Sequence, residues 1–193
     1  SVQRFRPSLG GAVIASALTC PYRTACSASD SCECCGLSAC ACSQSCPAMC
    51  RCARDFARTF DLVNCTAANQ TQVPAYQPAG ATELLLNQNS VRRIQPYQFF
   101  GHRSRHLIAR LNLAHNQIGF IDEHAYYGLA QLRLLKLSHN RLQSLNASLL
   151  AELIYLEYLS VAANCLERVE RGLFAGLSSL AYLDVSCNAL RQL

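Results

Sequence analysis

Residues 132–145 read Leu132-Arg-Leu-Leu135-Lys-Leu137-Ser-His-Asn140-Arg-Leu142-Gln-Ser-Leu145. Leucine recurs neither at every second residue nor with a 3.6-residue period across the whole stretch. The pattern is L-x-x-L-x-L-x-x-N-x-L-x-x-L, and it returns along the second half of the chain. Ile108, Leu111, Leu113, Asn116, Ile118 and Ile121 form the preceding copy; Leu156, Leu159, Val161, Asn164, Leu166 and Val169 form the following one. A last copy holds Leu180, Leu183, Val185, Asn188, Leu190 and Leu193. A first, weaker one has Ala81 at its leading position, then Leu84, Leu86, Asn89, Val91 and Ile94. The five asparagines are spaced by 27 residues once and by 24 three times. Such a period marks a solenoid, in which no unit buries its apolar side until it stacks on the next.

The physical reading of one unit follows directly. Its L-x-L is a short strand with leucines inward and x residues outward, and parallel stacking of units builds a sheet at about 4.8 Å per step. The asparagine turns the chain, and its amide is suited to main-chain groups that the turn would leave unpaired. Five residues beyond each copy stands a second apolar series, Phe99, Tyr126, Leu150 and Phe174, which belongs on the return side of each coil. These features identify a leucine-rich repeat. The fold class expected is an α/β-type leucine-rich repeat solenoid, with short parallel strands on the concave face, irregular or short helical return segments, and a disulfide-rich N-terminal cap region.

The 193 residues carry 13 cysteines, 11 of them between Cys20 and Cys65, in a stretch poor in large apolar side chains. Such a segment needs disulfides or metal to hold it together. Three Asn-x-Ser/Thr sequons, at Asn64, Asn69 and Asn146, are meaningful as glycosylation sites only in a secreted or lumenal protein, and that compartment favours disulfides. Of the three, Asn64 is the poorest acceptor because Cys65 follows it. No pair of C-x2-C motifs suits a zinc ribbon.

Cys46-Pro-Ala-Met-Cys50-Arg-Cys52, followed by Cys65 and the first repeat, resembles the N-terminal cap of extracellular leucine-rich repeat proteins. Spacing alone leaves three pairings open for these four cysteines. The resemblance implies Cys46–Cys52 and Cys50–Cys65. Upstream, Cys32-Glu-Cys34-Cys35-Gly-Leu-Ser-Ala-Cys40-Ala-Cys42-Ser-Gln-Ser-Cys46 resembles the junction within the ectodomain of arthropod Toll-type receptors, where one repeat array's C-terminal cap meets the next array's N-terminal cap. On this reading residues 1–42 are the tail of a preceding cap, 43–76 the N-terminal cap and 77–193 five repeats, the last cut short. Cys20, Cys26, Cys32, Cys34, Cys35, Cys40 and Cys42 are an odd set whose pairing the sequence leaves open.

The net charge of +5 is almost all arginine, spread along the chain, with Lys136 the one lysine. That excludes a polybasic segment and gives no sign of a nucleic-acid binder. Leu9 to Leu18 is far shorter than the roughly 20 residues a bilayer span requires. Arg4 and Arg6 before it, and Ala15-Ser16-Ala17 as a cleavage-like triplet near its end, give it some likeness to a secretory signal. A start at Ser1 and an end inside the repeat pattern read as cuts, so any membrane contact is expected through a segment outside this sequence. No phosphate loop, metalloprotease motif or nucleophile elbow is present, and no enzyme activity, cofactor or metal is expected.

The template also fixes which side chains are displayed. Arg110, Arg133 and Lys136 fall in adjacent rows and predict a basic centre; Tyr158 and Tyr182 follow in the next rows, a composition suited to protein binding. His115 and His139 share a column, as a pH-sensitive spot, a metal pair or simply exposed polar groups. Cys165 and Cys187 are two template positions out of register, which predicts free thiols. The resemblance implies a non-enzymatic, protein-binding region on the extracellular side of the plasma membrane, within a Toll-type receptor of innate immunity or development. It implies a cystine-knot cytokine ligand and receptor dimerisation. The alternatives are a secreted or matrix adhesion or guidance protein and, for the cysteine-dense stretch, a thiolate metal-binding protein.

Overall fold

A computed structural model describes residues 46–54, 61–75, 80–99 and 107–191. The seven cysteines from Cys20 to Cys42, the division at residue 42, and Leu193 lie outside the described residues. The expected solenoid is present. Strands β1 (Arg51–Arg54), β2 (Asp61–Asn64), β3 (Glu83–Leu85), β5 (Arg110–Asn112), β7 (Leu134–Lys136), β8 (Tyr158–Ser160) and β9 (Tyr182–Asp184) form one sheet in that order. Every neighbouring pair is parallel except β1 and β2. The short strands β4 (Arg93–Ile94) and β6 (Phe120–Ile121) pair in parallel in a second sheet.

Alternation within each strand separates the two faces, since successive side chains point oppositely. Leu84, Leu111, Leu135 and Leu159 occupy one column of the register and are fully buried, with Leu86, Leu113, Leu137 and Val161 buried beside them. The return side closes the same core with Phe99, Tyr126 and Leu150, while Phe174 packs against it half-buried. Among the described residues its one regular helical element is the 3-10 turn Ala147–Leu150, which Asn146 caps by accepting from the Ser148 N–H.

The turn asparagines bind row to row. Asn116 Nδ2 donates to Leu113 O and Ala114 O of its own row and to Leu86 O of the previous one, while its Oδ1 accepts from Val91 N. Asn140 repeats the arrangement with Leu137, Ser138, Leu113 and Ile118, and Asn164 with Val161, Ala162, Leu137 and Leu142. Asn188 continues it onto Val161 O and Leu166 N. An amide offers two donor hydrogens and two lone pairs, and no smaller polar group covers both needs of a buried turn. In every row the residue before the asparagine adopts a left-handed backbone: Gln88, His115, His139, Ala163 and Cys187.

The N-terminal segment copies a repeat row without its leucines. Cys65 N donates to Leu85 O and Ala67 N to Asn87 O, as Leu86 N and Gln88 N do to Asn112 O and Ala114 O one row later. Asn89 accepts from Ala68 N and Gln70 N and donates to Cys65 O. The sulfurs of Cys46 and Cys52 lie at bonding distance, as do those of Cys50 and Cys65. Cys50 and Cys65 are themselves buried over the first coil with Val63. At the far end Leu183 is 40% exposed, against 0% for Leu159 one row earlier, because no described row stacks on it. Cys165 and Cys187 are exposed free thiols.

Two outcomes are expected from this packing. Tyr126 stacks on Phe99 with 6.0 Å between ring centroids, but its buried hydroxyl has no hydrogen-bond partner among the described residues, and burial pushes its pKa far up. Tyr126→Phe removes that uncompensated group, so stability should be unchanged or raised by up to about 2 kcal/mol in urea unfolding. A loss of more than about 1 kcal/mol would reveal a partner for the hydroxyl. Peptide mapping after thiol blocking should recover Cys46 with Cys52 and Cys50 with Cys65, and should find Cys165 and Cys187 alkylated. A crosslink between those last two would contradict the register.

Candidate protein-binding face

The outward faces of the strands make two columns. In the first, Glu83, Arg110, Leu134, Tyr158 and Tyr182 stand side by side; in the second, Leu85, Asn112, Lys136, Ser160 and Asp184. Parallel pairing in unbroken register puts chemically unlike residues from 24- or 27-residue separations next to each other. The sequence template anticipates this layout, with Ser160 as an exception: it is only 3% exposed, too short to reach out past its neighbours.

The basic centre predicted for Arg110, Arg133 and Lys136 takes another form. Arg110 Nη2 donates to Glu83 Oε2 at 3.3 Å, and Arg133 Nη1 pairs with Glu157 Oε1 in the next row. Arg133 also precedes β7 by one residue, so it belongs to a different column from Arg110. Each arginine therefore meets a carboxylate one row away, and the local potential is largely cancelled. Exposed pairs of this kind contribute about 0–1 kcal/mol to stability, and their effect is chiefly to set charge pattern. Lys136 turns to the neighbouring aromatic instead, its Nζ 5.6 Å from the Tyr158 ring centroid.

Tyr158 and Tyr182 are brought together as expected. Their rings stack with centroids 4.4 Å apart and planes 5° from parallel. Partial burial, then the neighbouring Tyr182 and Asp184, raise the Tyr158 pKa above the usual tyrosine value, so the phenol stays neutral and able to donate a hydrogen bond at physiological pH. With Leu134 half-buried on one side and Tyr182 47% exposed on the other, the site presents an apolar centre edged by Lys136 and Asp184. Rigid stacked aromatics offer contact area at small entropic cost, the property that interface hot spots select.

His115 and His139 also meet, ring on ring at 4.2 Å and 10°, beside the sheet on left-handed backbone. Among the described residues no group of three or more His, Cys, Asp or Glu side chains is placed to share a metal ion. Of the sequons, Asn69 and Asn146 are exposed; Asn64 ends β2, and its side chain accepts from Thr66 N. No helix of the described residues is long and apolar enough to cross a membrane.

The strand template overlooked a second cluster. Arg92, Arg93 and Arg141, with Gln117, Gly119 and Phe120, line an open cleft beyond the asparagine turns. Aligning the residues one to four positions after each asparagine, rather than only those before it, would have shown that the three arginines converge.

Comparison with known proteins agrees with this geometry. The Leucine rich repeat family pattern matches residues 79–142 and 130–190. Human Leucine-rich repeat-containing protein 3B is 38% identical over 69 residues, 36% of this chain and 26% of that protein, and the mouse protein matches equally. Toll-like receptor 7 of Drosophila melanogaster is 28% identical over 85 residues, 44% of this chain and 6% of the receptor. The chain thus spans about a quarter, or far less, of the length of these curated relatives. Among solved structures, the TLR13–ssRNA13 complex superimposes with a TM-score of 0.62 at 30% identity, covering 71% of this chain and 19% of the other. The repeat pattern, the asparagine ladder and the family match fall on the same residues, and the chain belongs to the Leucine rich repeat family.

Proposed function

We propose that this chain is a protein-binding part of a Toll-type receptor ectodomain, a non-enzymatic segment that serves innate immune or developmental signalling from the extracellular side of the plasma membrane. The observation that carries the reading is the Tyr158–Tyr182 stack, flanked by Leu134 and Lys136, on the outward face of a rigid parallel sheet. The fold is typical of interaction modules, and similarity to Toll-like receptors extends to both sequence and structure. Residues 1–42, 43–76 and 77–193 are, in this reading, the end of one cap, a second cap and the repeats it covers. Asn69 and Asn146 are the glycan acceptors, ahead of Asn64, whose neighbour Cys65 is buried in the cap.

The partner proposed is a protein surface rather than a nucleic acid. TLR13 holds RNA in its solved complex. Here, both Arg110 and Arg133 on this face already pair with carboxylates, which leaves Lys136 as the cation beside the tyrosines and a polyanion little to gain. A matching partner carries an apolar patch with mixed charge at its rim. Nothing in the side chains selects a cystine-knot ligand over another protein, and a second ectodomain fits the same description.

The test is kinetic. With the intact ectodomain immobilised, candidate secreted ligands and the ectodomain itself are titrated against wild type, Tyr158→Ala and Lys136→Glu. Tyr158→Ala should weaken binding by about 2 kcal/mol, mainly through faster dissociation, while Lys136→Glu should alter association in a salt-dependent way. Unchanged rates in both variants, with circular dichroism intact, would remove this face from the function.

A further inference from the structure

The cleft beyond the asparagine turns is built differently from the strand face. Arg92 and Arg93 come from the first row and Arg141 from the third; Gln117, Gly119 and Phe120 come from the row between. Two sheet steps separate the outer rows, so the guanidinium groups flank a space roughly 10 Å across. Gly119 keeps that space open. A Cβ built there meets only Arg141 O, at 3.9 Å, and the glycine backbone is not left-handed. The glycine is therefore not required by the backbone, and its effect is to leave the floor of the cleft without a side chain. The resulting depression is shallow and open, about 590 Å³.

Its charge is uncompensated among the described residues. Among the described residues none of Arg92, Arg93 and Arg141 makes an ion pair, whereas Arg110 and Arg133 on the strand face both do. All three are exposed. Arg93 lies over the Phe120 ring, 5.2 Å from its centroid, which orients its guanidinium and covers that aromatic face. Like charges gathered in a concave site raise the local potential and favour an anion. Guanidinium forks match tetrahedral oxyanions in bidentate geometry.

We propose that this cleft binds a sulfated polysaccharide, with successive sulfate groups held by Arg92 and Arg93 on one side and Arg141 on the other. An open trough crossing three rows suits an extended, repeating polyanion better than a compact ligand. Among the described residues Phe120 is the single aromatic that lines it, and Arg93 takes one face of that ring, which falls short of the successive stacking platforms that a single-stranded nucleic acid uses. Cysteines at disulfide distance, together with the sequons, point to the oxidising side of the membrane, where polyanions of the cell surface carry sulfate esters.

The experiment measures binding of a size-defined heparin oligosaccharide, an unsulfated hyaluronan oligosaccharide and a single-stranded RNA oligonucleotide across a salt series. The variants are Arg141→Ser, Arg92→Ser, Gly119→Glu and, as an exposed arginine outside the cleft, Arg171→Ser. Heparin should bind in a salt-dependent manner. Each cleft arginine removed should weaken it about tenfold and lower the logarithmic salt slope by roughly one, as counterion release predicts. Gly119→Glu places a carboxylate on the floor without backbone strain and should abolish binding with the fold intact. Arg171→Ser and hyaluronan are the negative controls. The proposal is overturned if Arg171→Ser costs as much as Arg141→Ser, if Gly119→Glu binds like wild type, or if hyaluronan or RNA binds the wild-type protein as tightly as heparin does.

Discussion

The asparagine ladder is the constraint on which the molecule depends. A solenoid row has a strand to pair its backbone on one side, but the turn after it carries N–H and C=O groups into the buried interior with no ladder to receive them. Such groups cost about 1–3 kcal/mol each when left unpaired. One amide per row answers the need in both directions, toward its own turn and toward the row before. Because Asn89, Asn116, Asn140 and Asn164 each reach back one row, the ladder fixes rise and register together.

Fixed register has consequences for everything displayed. Tyr158 stands over Tyr182 and His115 over His139 at ring distances near a single sheet step, because the rows cannot slide. The same rigidity separates two kinds of surface. On the strand face charges from neighbouring rows neutralise each other and leave aromatic and leucine side chains as the main contact area. Beyond the turns, where Gly119 leaves a gap, arginines gather with no carboxylate among the described residues that line the cleft. A protein surface and a polyanion would therefore engage opposite sides of the asparagine ladder, with no competition for the same side chains.

How much of this could be read from the sequence depends on how local the cause is. Leucine columns, turn asparagines and the return-side series Phe99, Tyr126 and Leu150 are set by periodicity and were legible. The left-handed residue before each asparagine was not, since Gln88, His115, His139, Ala163 and Cys187 share no side-chain chemistry; stacking imposes that backbone at a cost of about 1 kcal/mol each. The Arg133–Glu157 pair was hidden for a similar reason. Row assignment places both residues correctly, but whether long side chains lean toward a neighbouring row depends on which partner that row offers. Arg92, Arg93 and Arg141 escaped notice because their convergence depends on the positions after the turn, including a glycine whose effect is an absence.

The central claim is that the ladder, more than the leucines alone, holds row to row, and Asn140→Ala tests it most directly. That substitution leaves Ile118 N without an acceptor and takes one donor from each of the carbonyls of Leu113, Leu137 and Ser138, which keep Asn116 Nδ2, Asn164 Nδ2 and His115 N respectively. Unfolding should be easier by about 3 kcal/mol or more. In native-state hydrogen exchange the Ile118 amide should exchange faster by orders of magnitude, while Val91, whose acceptor Asn116 is untouched, should change far less. An unaltered unfolding midpoint, with Ile118 still as protected as Val91, would contradict the account.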